Sequence, residues 1–229
     1  MARLQLVILT ALGTLSGCVY ETLDAFFPEP SLPVHVRVQD TWSTEPNIGW
    51  DGVVRMSARE IIVDAIMHWN DAVASRLRPE QPSPFVFDGF VSMQDFDQHD
   101  PTAPLSDDQV IIYKLTETTP DLRDMLDAGG YPTCVVGYGL PNSDVLVMLD
   151  AFDPFLRDKP YGGQPDSRIE LLRQTVAHEL GHVLGVQHYR DRVGLMNDLI
   201  EWYTTDEHGR YVRQTDVEAF CLVHPNACQ

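Results

Sequence analysis

Two histidines four residues apart, His178 and His182, stand in the segment His178-Glu179-Leu180-Gly181-His182-Val183-Leu184-Gly185-Val186-Gln187-His188. On a helix of 3.6 residues per turn they lie about 40° apart, so both imidazoles leave the same face. Gly185 tolerates positive φ, which ends such a helix and turns the chain back. That reversal carries His188 toward the same point from outside the helix. Three neutral imidazoles suit one metal ion, zinc above all. They leave one tetrahedral position open, which is what separates a catalytic zinc from a structural one. Glu179 adjoins the first histidine and is not needed as a ligand; a carboxylate there can hold and deprotonate water. With uniform residue usage this set of five residues arises by chance on the order of once in ten thousand chains of this length. The plain alternative is an amphipathic core helix over residues 169–184, with Leu171, Leu172, Val176, Leu180, Val183 and Leu184 facing inward. Without a metal, that helix would bury three histidines and a glutamate unpaired, at about 1–3 kcal/mol for each polar group. The metal-binding reading is preferred on that ground.

Other elements must position this helix. Val34, Val36 and Val38 alternate with polar residues, the period of a half-buried strand. Residues 56–77 place Ile61, Ile62, Ala65, Ile66, Trp69, Val73 and Leu77 at helical spacing, with Pro79 as the stop. Residues 85–87, 110–113, 134–138 and 145–149 read as strands, the last two joined by turn residues 141–144. The histidine helix follows a Gly/Pro-rich loop at 160–165. Thr215 is expected to cap a last helix running through Ala219 and Leu222, with Asp216 and Glu218 in its first turn.

Composition narrows the function classes. Among 229 residues, 34 Asp and Glu face 16 Lys and Arg, a formal charge of −18. No basic patch exists to meet phosphates, so a nucleic-acid role is excluded. Acidic segments at Asp95 and Asp97, Asp107 and Asp108, and Asp150 and Asp153 could offer oxygen ligands to calcium, although none matches an EF-hand loop. Solvated acidic loops are the commoner explanation.

Residues 1–17 read as a signal segment, with Arg3 followed by a mostly apolar run over 4–15 that is too short for a span of about 20 residues. Leu15-Ser16-Gly17-Cys18 resembles the lipobox of bacterial lipoproteins. That resemblance implies cleavage before Cys18, acylation of its thiol and anchoring to a membrane outside the cytoplasm. Val19 after the cysteine is similar to sorting signals for the outer membrane. Residues 18–33, with Pro28, Pro30 and Pro33, form the tether, and residues 34–229 form one domain. Cys134, Cys221 and Cys228 remain. The closeness of the last two suits a small terminal disulfide that would leave Cys134 free, but the sequence leaves the pairing open.

The pattern HExxHxxGxxH, followed by Gly194-Leu195-Met196 with Met196 eight residues beyond His188, resembles the metzincin metallopeptidases and their matrixin branch in particular. The resemblance implies that His178, His182 and His188 ligate zinc, that Glu179 is the general base, and that Met196 forms the Met-turn floor beneath the histidines. It implies an α+β, zincin-like fold: a twisted, mixed five-stranded sheet packed with two long helices, plus a C-terminal helix. The antiparallel edge strand would fall at residues 134–140, where an extended polypeptide substrate can add as a further strand. Some features depart from the family. Residues 19–33 hold no cysteine and are too short for an inhibitory pro-segment. Asn197 and Asp198 replace the residues that often shape the specificity pocket, and Asp198 stands where some relatives carry a tyrosine ligand. The expected function is a membrane-tethered zinc endopeptidase. The alternative is a catalytically silent lipoprotein that binds zinc and peptides, for which Glu179 would have no use.

Overall fold

In the computed structural model the described residues are 30–40, 42, 46–48, 54–92, 109–115, 137–139, 145–148, 167–189, 194–197 and 211–229. In chain order they form β1 (Val34–Gln39), β2 (Pro46–Ile48), β3 (Val54–Ser57), α1 (Ala58–Val73), β4 (Phe85–Val91), β5 (Gln109–Leu115), β6 (Gly137–Tyr138), β7 (Val145–Met148), α2 (Ser167–Val183) and α3 (Gln214–Val223). The mixed α+β class expected from the sequence is the class observed.

The alternating valines of β1 are all buried, and the strand runs through the sheet interior. Among the described residues the larger sheet has the order β4-β1-β5-β7-β6. β1 pairs in parallel with β4 and β5, and β5 pairs in parallel with β7. Only the edge pair β6–β7 is antiparallel. β2 and β3 form a separate antiparallel pair.

Two helices bury their apolar faces together. α1 contributes Ile61, Ile62, Ala65, Ile66, Trp69 and Val73, and α2 meets them with Leu171, Val176, Leu180 and Val183. Burying side chains of this size contributes about 1.5–3 kcal/mol each, so packing rather than helix propensity holds the pair. Trp69 also donates its indole N–H to the Ala177 carbonyl at 2.7 Å, which fixes the axial register of α1 against α2. Asn70 ties α1 to the sheet, donating to Phe85 O at 2.9 Å and accepting from Phe85 N at 3.0 Å. Arg173 of α2 pairs with Asp64 of α1 at 2.9 Å.

Several sequence expectations need correction. The helix expected over 56–77 is shorter at both ends, because Met56 belongs to β3 and Ser57 is the N-cap. Ser57 Oγ accepts from Glu60 N at 3.3 Å while Glu60 Oε2 accepts from Ser57 N at 2.7 Å, a capping box that sets the start. Leu77 lies beyond the helix, bridged to Cys228. β2 and β3 were not foreseen, since proline and asparagine in Pro46–Ile48 weaken any strand signal. β4 and β5 extend beyond the expected 85–87 and 110–113. The histidine helix runs from 167 to 183 rather than from 169 to 184. Cys221 and Cys228 do form a disulfide. Cys134, Cys18 and the whole of residues 1–29 lie outside the described residues.

Candidate metal centre

α2 delivers His178 and His182 from one face, and its end is built to return the chain. Gly185 has φ of 82°, which a residue with a Cβ adopts only with strain. Gly185 N donates to His182 O at 2.8 Å and Val186 N to Gly181 O at 3.0 Å, the paired bonds of a Schellman stop. Three residues later His188 arrives opposite the helix. Its Nε2 lies 2.9 Å from His178 Nε2 and 3.0 Å from His182 Nε2.

The outer nitrogens decide what the inner ones can do. His178 Nδ1 is 2.7 Å from Leu195 O, and His182 Nδ1 is 2.9 Å from Val186 O. A carbonyl only accepts, so both Nδ1 atoms carry the proton in the neutral ring. Their Nε2 atoms are then bare lone pairs aimed at one point together with His188 Nε2. Lone pairs crowded in this way repel one another unless a cation lies among them. The donor set therefore fits zinc, which takes neutral imidazole readily. Among the described residues no other group of three His, Cys, Asp or Glu side chains converges so closely.

Burial reinforces the neutral state of the rings. It pushes the pKa of His178 down, against smaller upward pulls from the Leu195 carbonyl and the Asp216 charge. His182 is held well below the ordinary range by burial and then by the charges of His178 and His188, with only the Val186 carbonyl opposing. Neutral histidines are the metal-binding form, and burial favours that form at His178 and His182.

Glu179 is not a member of that cluster, and its carboxylate lies against the sheet edge. A Cβ placed on Gly137 would stand 2.7 Å from Glu179 Oε1, and one on Gly139 would stand 2.7 Å from the Glu179 carbonyl. Gly137 thus lets β6 lie directly on the carboxylate, and Gly139 just beyond it lies against the helix backbone. The Gly139 amide donates to that carboxylate and favours its charged form, but burial outweighs it and raises the pKa to about 8.

Met196 is fully buried beneath the histidines. Its sulfur and the Trp69 ring occupy the space that a Cβ on Gly181 would need, so the thioether sits on the helix between His178 and His182. What holds the turn at Met196 was not foreseen from the sequence. Asp216, 0% exposed, receives Leu195 N on Oδ2 at 3.0 Å and Met196 N on Oδ1 at 2.9 Å. Arg213 N also donates to Oδ2 at 2.7 Å, and the Tyr189 hydroxyl to Oδ1. Arg213, not Thr215, is the N-cap residue of α3; Thr215 instead meets the Tyr189 hydroxyl at 3.3 Å. Both burial and the Asp216 charge drive the Tyr189 pKa upward, so its hydroxyl stays protonated. The only hint of this arrangement in the sequence was an acidic residue near a helix start.

A family model described as matrixin matches residues 24–223. The chain belongs to the matrixin family. No curated protein matches it. Matrixin membership, together with the histidine cluster, supports a zinc metallopeptidase, a hydrolase acting on polypeptides. The acidic segments considered for calcium, together with Asp198, lie outside the described residues, and calcium gains no support.

The buried Glu179 gives this matrixin a measurable pH signature when metal-free. The folded pKa of Glu179, about 8, lies above its ordinary value of 4.5. Between those values the folded state keeps a proton that the unfolded state has lost, so the contribution of Glu179 to stability declines as pH rises. Urea unfolding of the metal-free protein and of Glu179→Gln should show a stability difference that moves steadily against wild type from pH 4.5 to about 8. A difference that does not vary with pH would mean that the carboxyl ionises normally in the fold.

Proposed function

We propose that this chain is a zinc-dependent endopeptidase with His178, His182 and His188 as metal ligands and Glu179 as general base. The observation that carries the reading is the fixed tautomer of His178 and His182, which turns bare Nε2 lone pairs toward His188, while Glu179, next to the first ligand in the chain, stays outside the cluster. A zinc ion held there supplies Lewis acidity, which acidifies water and polarises a carbonyl. Glu179 accepts the proton of the attacking water as its oxygen bonds to the scissile carbonyl carbon, and returns it to the amine nitrogen as the C–N bond breaks. A carboxylate on a buried helix face needs little reorganisation for this task. Among the described residues β6 ends the sheet order, so an extended peptide adding to it lies close to Glu179.

The test is hydrolysis of an unfolded protein. The full-length protein loaded with zinc should cleave casein, stop when chelated and resume when zinc returns. A zinc-loaded protein that leaves both casein and a varied peptide library intact would favour the silent peptide-binding alternative.

We also propose that Cys18 is acylated and that the domain is tethered at the bacterial outer membrane, facing away from the cytoplasm. The support is the apolar run over 4–15 leading into Leu15-Ser16-Gly17-Cys18. Mass spectrometry should find an acylated N-terminal Cys18 in the mature protein, and Cys18→Ser should move the protein from the membrane to the soluble fraction. A mature protein that begins downstream of Cys18 would refute the anchor.

A further inference from the structure

We propose that Asp216 is a positioning residue of the metal centre, acting on His178 through the peptide group that joins Leu195 to Met196. The inference rests on the three-histidine zinc site proposed above. The geometry is a relay with one amide in the middle. Asp216 Oδ1 takes the Met196 N–H at 2.9 Å, and the carbonyl of the same peptide group, Leu195 O, takes His178 Nδ1–H at 2.7 Å. A negative charge on the N–H side of an amide draws that hydrogen out and pushes electron density onto the carbonyl oxygen. A richer carbonyl is a stronger acceptor for the imidazole proton, and the imidazole becomes a better donor at Nε2. Histidine ligands are commonly tuned by a carboxylate bonded directly to the ring; here a peptide group is inserted between the two.

The other contacts of Asp216 show that it does more than cap a helix. Only its bond from Arg213 N serves the start of α3. Its bonds from Leu195 N and Met196 N fix the Met turn, and its bond from Tyr189 reaches the residue next to His188. Tyr189 N in turn donates to Met196 O at 3.1 Å, so the segments carrying the turn and the third histidine are tied together twice. One carboxylate from α3 therefore holds His178 in orientation and His188 in place. His182 depends instead on Val186 O, within its own turn.

Asp216→Asn tests this with zinc alone as the ligand. The amide keeps the shape but sets its own N–H groups against two of the four donors, so the relay or the turn is broken. The full-length variant, folded by near-UV circular dichroism, should bind zinc about 10–100-fold more weakly than wild type in competition with a chromophoric chelator. A folded Asp216→Asn protein with wild-type zinc affinity would overturn the relay and leave the three-histidine site standing, whereas a wild-type protein that takes up no zinc would overturn both. A second measurement needs no variant. In zinc-loaded wild type, the Nδ1–H proton of His178 should resonate downfield of that of His182, because only the first faces a carbonyl whose amide is held by a carboxylate. Coincident or reversed resonances would overturn the relay.

Discussion

Glu179→Gln is expected to retain zinc and fold while losing at least about 10²–10⁴-fold in hydrolysis. The amide occupies the space of the carboxyl and can still take the Gly139 N–H on its oxygen, so β6 keeps its seat. What it cannot do is accept the proton of water. Glu179→Ala removes the positioning of that water as well and should fall further. In both variants zinc content by elemental analysis should match wild type, because the three imidazoles and their carbonyl partners are untouched. Substantial turnover by Glu179→Gln would mean that another group moves the proton, even if the chain is a peptidase.

His188→Ala is expected to strip most of the zinc. His188 is the member that closes the cluster, standing 2.9 and 3.0 Å from the other two Nε2 atoms, and without it two helical imidazoles face an open side. His178→Ala and His182→Ala should also lose the metal, but with different costs to the apo fold. His178 is 8% exposed, and its removal leaves Leu195 O without its imidazole donor beneath the helix. The penalty is about 1–3 kcal/mol in addition to the lost metal. His188→Ala should cost the metal-free protein less, since its ring is only partly buried. Full zinc occupancy in His188→Ala would refute the ligand set.

What could be read from the sequence was local. The spacing of His178, His182, Gly185 and His188 is dictated by one helix and the turn that ends it, so their convergence followed from helix geometry alone. The alternation in β1 and the apolar stripe of α1 were legible for the same reason. Asp216 was not legible as part of the site. It lies 20 residues beyond Met196, and its contacts depend on α3 returning beneath the Met turn. Its neighbour Thr215 looked like the better helix cap, but the buried Asp216 takes the Arg213 amide while Thr215 meets Tyr189. Gly137 and Gly139 were equally opaque: in the sequence they were strand residues, and only the packed structure shows that the base lies against them.

On the proposed mechanism, that contact couples docking to chemistry. Among the described residues the two-residue ribbon Gly137–Tyr138 has one neighbour in the sheet, and the Gly139 amide that follows it steadies Glu179. On the reading proposed above, a peptide adding to this ribbon presses on the same backbone that steadies Glu179. Engineering aimed at β6 to broaden substrate choice would therefore register in kcat as well as in KM.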